Sequence, residues 1–234
     1  MQFAGTGWFG RAATRMATLF APAYMGRFRL AKLGPNGYVD PQATVLHDQL
    51  LLGKGAFIAD RVVVYKAKGG GKVQLGRHAH VLRDSVLETA GGGSISIGDD
   101  TFIHPRAQVM AYEGSVSIGS HATIAPNCAF YAYNHSIEPG ELIKRQPVET
   151  KGGIQIGEGV WLGIGTIVLD GVTIGAGALV GAGSVVTKSI PANAIAVGNP
   201  ARVIGSREAK ASRKDHGEAE EAADLSGQED SQHG

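Results

Sequence analysis

Only one cysteine, Cys128, stands among the 234 residues. No disulfide can close within the chain and no multi-cysteine metal site can form. With no recognisable secretory signal, this usage leads us to expect a reducing compartment, the cytoplasm. No run of about 18 uninterrupted apolar residues occurs, so a membrane-spanning helix is not expected. Strong charge of one sign is also missing. The formal net charge is +1, which gives no support to an extended nucleic-acid surface. Aromatic residues make up only 6% of the chain, so its core is not built from large rings.

One absence is local: no acidic residue precedes Asp40. Residues 1–37 instead carry Arg11, Arg15, Arg27, Arg29 and Lys32. Ala12, Met16, Leu19 and Phe20 fall at helical spacing before Pro22, with Trp8 and Phe9 just upstream. Such a basic amphipathic segment has two readings, a helix capping the end of the core or one lying on an anionic membrane surface. At the other end, the segment 206–234 is rich in charged and small residues with almost no large apolar side chains, and reads as a disordered tail.

Glycine is plentiful, at 35 residues. From Ile156 the chain reads IGEGVW, LGIGTI, VLDGVT, IGAGAL, VGAGSV, VTKSIP. An aliphatic residue opens every block: Ile156, Leu162, Val168, Ile174, Val180 and Val186. The fifth residue of each block is small or β-branched. A period of six fits neither a 3.6-residue helix nor an alternating strand. Three such blocks make an eighteen-residue coil with its openers turned inward, each face a short strand and each corner a turn. One coil cannot bury its own inward row, so stability must come from stacking. Leu52-Gly53, Leu75-Gly76, Ile97-Gly98, Ile118-Gly119, Ile156-Gly157 and Ile174-Gly175 keep the phase at intervals of 23, 22, 21, 38 and 18. The small excesses coincide with "KAKGGGKVQ", "AGGGS" and "EGS", which read as corner extensions. The interval of 38 reads as one coil plus an ejected loop at about 133–153, and His135 lies at its start. The expected solenoid domain spans 38–205.

The hexads, the histidine-bearing loop, "VWLG", "VTIG", "GAGSVVTKSIP" and "GNPARVI" resemble the hexapeptide-repeat acyltransferases. The likeness is to sugar O-acetyltransferases, and more closely to those of polysaccharide biosynthesis. The resemblance covers residues 95–205 strongly and the earlier coils loosely. It implies an all-β fold, a left-handed parallel β-helix, assembled as a homotrimer with acetyl-CoA held between subunits and no metal required.

The implied reaction moves an acetyl group from a thioester to a hydroxyl of a sugar or polysaccharide precursor. An alcohol keeps its proton near neutral pH, so a base is needed, and histidine titrates in the right range. His135 matches the family's catalytic histidine by its place shortly after "IAPN". Asn134, Tyr133, Glu138 and Trp161 are the corresponding acceptor-side candidates. Ser136 stands where the sugar acetyltransferases usually have proline, which leaves the roles of Asn134 and Glu138 open. Gly163, Ile164, Ala182, Thr187, Lys188 and Arg202 match positions near the cofactor, the two cations suiting phosphate oxygens. The amide of Gly163 is also a candidate oxyanion donor.

A β-helix does not fix function. A related zinc carbonic anhydrase needs two histidines five positions apart. His78, His80, His104, His121 and His135 contain no such pair. Serine acetyltransferase is a further enzyme reading, although those enzymes normally bring a large helical domain before the coils, where about 37 residues stand here. A nucleotide-sugar N-acyltransferase is the alternative enzyme reading, since amines and hydroxyls both need a base. The rival from another class is a non-catalytic β-helix scaffold at a membrane.

Overall fold

The computed structural model describes residues 5–19, 23–33 and 35–208. From Tyr38 the chain winds into a three-sided solenoid whose walls are sheets of nine, seven and six strands. All strand pairs between successive coils are parallel. The first wall runs from Tyr38–Val39 to Ala194–Val197, the second from Thr44–Leu46 to Val185–Val186, and the third from Leu50–Leu52 to Thr173–Ile174. Seven strands in the second wall make seven complete coils. A final strand, Arg202–Ser206, turns back antiparallel on Ala194–Val197 and closes the open end of the first wall.

The sixfold period explains this shape. Each aliphatic opener from Ile156 to Val186 is buried, and so is each fifth-position residue from Val160 to Ile190. The openers form the inner ladders of the walls, while the smaller residues fit inside the corners. Thr166 and Ser184 sit at two such corners and donate their hydroxyls to the carbonyls of Gly163 and Gly181, at 2.8 and 2.7 Å. A polar atom therefore enters the core without losing its partner.

The corners need backbone of left-handed twist. In the C-terminal coils glycine supplies it, for example Gly159 at φ +64° and Gly177 at φ +66°. In the N-terminal coils the same stacked positions carry His78, Asp100 and His121, at φ 52°, 52° and 58°. A neighbouring corner does likewise with Arg61, Asp84, Arg106 and Asn127. Non-glycine residues resist this conformation by about 1–2 kcal/mol each. Several are compensated by bonds along the stack: Arg61 grips Asp84 through two bonds of 2.7 and 2.8 Å, and Arg106 Nε donates to Asn127 Oδ1 at 2.8 Å.

The three short extensions all leave the solenoid at one edge, between the second and third walls. The chain from Tyr131 to Ile154 leaves at that same edge. A corner already widened in three preceding coils thus accepts a loop of about twenty residues without interrupting the pairing of Val116–Ile118 with Ile154–Ile156.

Two helices, rather than the single segment expected, cover the first coil: α1 (Trp8–Leu19) and α2 (Ala23–Leu33). Thr14 of α1 contacts the buried Tyr38 hydroxyl at 3.1 Å. Arg27 of α2 pairs with Asp40 and Asp60 at 3.3 and 3.4 Å. Burial raises the Tyr38 phenol to about 12. The apolar side of α1 does not do the capping: its buried residues are Gly10 and Thr14, while Trp8, Phe9, Met16 and Leu19 face solvent. Phe20 and most of the charged tail, 209–234, lie outside the described residues.

Candidate active site

The ejected loop has its own framework. Asn134–His135 pairs antiparallel with Val148–Glu149, His135 opposite Val148. Ser136 N donates to Pro147 O at 3.0 Å, continuing the ladder. Beyond it Gln146 is buried and holds the loop together. Its Oε1 accepts from Glu138 N, and its Nε2 donates to the carbonyls of Glu138 and Glu141, at 2.8, 2.8 and 2.9 Å. The hairpin thus fixes the backbone of His135 while leaving its side chain exposed. The imidazole makes no hydrogen bond among the described residues. Tyr133 meets it edge-on, at 6.2 Å between centroids.

The loop is tied to the solenoid by Asp170, a buried carboxylate on the coil below. Asp170 accepts from Thr150 Oγ1 and Gly153 N, both at 3.0 Å, from Lys151 N, and more distantly from Asn134 Nδ2 at 3.4 Å. It therefore binds both strands of the loop, one contact being to the residue before His135. Sequence reasoning missed Asp170 because "LDG" signals only a turn. It missed Gln146 because nothing in the sequence distinguishes that glutamine.

Beside His135 stands a tyrosine wall. Tyr133 lies 5.4 Å from Tyr112 and 5.9 Å from Tyr131, and the Tyr131 hydroxyl donates to Gln108 at 3.0 Å. Burial and the neighbouring Tyr131, Glu88 and Tyr112 raise the Tyr133 phenol above its ordinary value. It stays a neutral hydrogen-bonding group at working pH. Glu138 is exposed, and its carboxylate makes no bond among the described residues.

The remaining candidates divide between two edges of the second wall. Trp161, Gly163, Ile164 and Ala182 lie at or beside the corner between first and second walls. Arg202 joins them, because it pairs with Val197 and the adjacent Ala201 N donates to Val185 O at 2.8 Å. Trp161 and Ile164 are about half exposed, at 52% and 51%. Thr187 and Lys188 instead follow Val185–Val186, at the edge that carries the histidine loop. Strands of three residues put these edges roughly 10 Å apart. Gly163 requires a correction: its N–H already donates to Val180 O at 2.8 Å and the residue is buried, so it is not a free oxyanion donor. Ala182, exposed one coil on, keeps its backbone N–H uncommitted among the described residues. Among those residues no cluster of three or more His, Cys, Asp or Glu side chains is arranged around a common point.

Residues 153–188 match the family described as bacterial transferase hexapeptide (six repeats). No curated protein sequence matches the chain at significant similarity. Among solved structures, the polySia-specific acetyltransferase NeuO is similar, at 24% identity over 67% of this chain and 71% of that one, with a TM-score of 0.57. A variant of AntD, an N-acyltransferase from Bacillus cereus, in complex with dTDP and coenzyme A is similar at 22% identity over 76% and 91%, TM-score 0.54. Another AntD variant, holding dTDP-4-amino-4,6-dideoxyglucose and coenzyme A, shares 22% over 76% and 90%, TM-score 0.53. At these identities the likeness concerns the fold. Residues 153–188 thus carry the repeat signature of the bacterial transferase hexapeptide family, within a solenoid of the same fold as these acyltransferase structures.

Proposed function

We propose that the protein is an acyl-CoA-dependent acyltransferase that moves an acetyl group onto a hydroxyl of a sugar or polysaccharide precursor, with His135 as general base. The observation that carries this reading is the exposed His135 on a hairpin-braced loop, beside a tyrosine wall, on a hexapeptide-repeat solenoid. In the proposed step His135 takes the acceptor's hydroxyl proton as its oxygen attacks the thioester carbonyl. The C–S bond breaks as the tetrahedral intermediate collapses, and the proton passes to the departing thiolate. Tyr133, with Tyr131 and Tyr112, offers a flat apolar surface and neutral hydroxyls to a sugar ring, and Asn134 and Glu138 flank it. Trp161 borders the channel between acceptor and pantetheine.

For the donor, the Ala182 amide and the exposed Ile164, beside the buried Gly163, suit the pantetheine arm. Thr187, Lys188 and Arg202 suit the phosphates. Lys188 and Arg202 are both exposed and have no carboxylate partner among the described residues. Because the histidine loop and the Ile164–Ala182 corner occupy different edges of one chain, a compact site is best formed between copies, and we propose a homotrimer. NeuO is named as a polySia-specific acetyltransferase, which favours acetylation of a glycan. AntD is named as an N-acyltransferase and was captured with an amino-sugar nucleotide, which favours N-acylation of such a nucleotide as a second reading. The cytoplasm, where acyl-CoA is made, is the proposed compartment.

The test is acetyl-CoA turnover, read as free thiol, over a panel of glycans, sugars and amino-sugar nucleotides. Acceptor-dependent release should fall about 10²–10⁴-fold in His135→Ala. A wild type that binds no acyl-CoA and releases no thiol with any acceptor would refute the enzyme reading in favour of a scaffold.

A further inference from the structure

Helix α1 is mounted inside out. Its small residues Gly10 and Thr14 lie against the rest of the chain, where Thr14 Oγ1 also back-bonds to Gly10 O at 2.8 Å. At 100° per residue, Trp8, Phe9, Ala12, Met16 and Leu19 occupy an arc of about 100° on the far side. The four large side chains in this arc are 76%, 67%, 64% and 74% exposed. Isolated exposed apolar residues are ordinary, whereas a continuous face of this kind is not. Trp8 and Phe9 meet edge-on at 4.6 Å, so the face presents a joined aromatic ridge.

Charge narrows the choice of partner. Arg11 and Arg15 border the apolar arc and, with Trp8, Ala12, Met16 and Pro41, line a groove of about 740 Å³ beside it. Neither arginine has a carboxylate partner among the described residues, nor do the exposed Arg29 and Lys32 of α2. Arg27 is neutralised by Asp40 and Asp60. No acidic residue lies in the first 39 positions. The segment thus combines a shallow apolar blade, an indole, and unopposed cations at its border. That combination fits the headgroup–acyl boundary of an anionic bilayer. Thr14 and Gly10 anchor the helix from the side opposite the blade, so it can enter a lipid surface without leaving the protein.

We propose that α1 is a peripheral membrane-binding element that lays its Trp8, Phe9, Met16 and Leu19 face into an anionic lipid surface, with Arg11 and Arg15 on the headgroups. This proposal does not depend on the acyltransferase reading.

The test is flotation of the full chain with vesicles of phosphatidylcholine alone or with about 30 mol% phosphatidylglycerol, together with indole emission. Binding is expected only with the anionic vesicles, with a blue shift that a Trp8→Phe variant loses while still binding, Trp161 being the other indole. The triple variant Trp8→Ser, Met16→Ser, Leu19→Ser should bind at least tenfold more weakly at unchanged melting temperature. Arg11→Gln and Arg15→Gln should each weaken binding about fivefold. Absence of flotation with anionic vesicles, equal binding to neutral ones, or triple-variant binding equal to wild type would overturn the proposal. So would a triple variant that changes the oligomeric state, which would assign the face to contact between copies.

Discussion

Asp170 should act as a positioning residue whose removal loosens the histidine loop while leaving the solenoid standing. Its carboxylate accepts from Thr150, Lys151 and Gly153, and distantly from Asn134. A bond to an ionised group contributes about 1.5–3 kcal/mol net. Thr150 and Lys151 are exposed, so water recovers much of their share, whereas Gly153 is buried and its N–H would lose its partner. Asp170→Ala should therefore cost about 3 kcal/mol. That loss falls on loop opening, because the Ile156–Ile174 and Val168–Val186 pairings do not pass through Asp170. Native-state hydrogen exchange at Lys151 and Gly153 should accelerate about a hundredfold. Wall-strand amides that exchange by local fraying should hold their rates, and the main melting transition should fall by no more than this same loss. A misplacement of about 1 Å at His135 lowers turnover about 10²-fold. The loss should vanish in a His135→Ala background, since Asp170 acts through that residue. Asp170→Asn keeps one acceptor oxygen but turns an amide N–H₂ toward backbone donors, and should fall between the two. Unchanged exchange at Lys151 and Gly153 would refute this reasoning, as would equal losses with and without His135.

The stacked corner predicts opposite signs at one column. His121→Gly relieves about 1–2 kcal/mol of left-handed strain against about 0.5–1 kcal/mol of added unfolded-state entropy, so thermal denaturation should show a small gain in stability. Gly159→Ala should lose about 1–2 kcal/mol, although a Cβ there meets nothing within 4 Å. The pH dependence of melting should carry the mark of His80. Burial, chiefly, holds its imidazole down to about 4, among Phe28 and Phe102 and near Lys32, His78 and Asp100. The unfolded chain takes up this proton near pH 6.5, so stability should be complete above that value and decline by about 3 kcal/mol as pH falls toward 4. His80→Phe should flatten this decline, and an equally steep profile in the variant would show that other groups set it. Lys188→Ala and Arg202→Ala should each weaken coenzyme A binding about tenfold by calorimetry, with a smaller loss for 3′-dephospho-coenzyme A and no change in melting.

The solenoid was legible because its physics repeats. A single aliphatic side chain every six residues says little, but six in phase leave one geometry that buries them all. The N-terminal coils were harder to read. Their corners carry Arg61, His78, Asp84 and Asp100 where the later coils have glycine. The left-handed positions there depend on cross-coil pairing, such as Arg61 with Asp84, residues 23 apart. The same limit explains the loop. His135 was visible as a chemical group at a break in the period, whereas Asp170 and Gln146 act through backbone amides, which carry no sequence signature.

Helix α1 shows a different failure of inference from pattern. Its 3.6-residue periodicity correctly marks an amphipathic helix, but periodicity does not say which face turns inward. The usual assumption is that the apolar face is buried, because that removes most hydrocarbon from water. Here close packing decides instead. The first coil admits a helix only where side chains are small: a Cβ on Gly10 would come within 3 Å of the Gly5 backbone, and one on Gly5 would collide with the Val39 carbonyl. Thr14 then reaches the Tyr38 hydroxyl. Burying Trp8 and Met16 on that side would require displacing the contact that seats the helix. The chain thus leaves hydrocarbon in water that another orientation would have covered. That cost is recovered only if the face has a partner, which is why a lipid-binding measurement on α1 bears on the fold as well as on location.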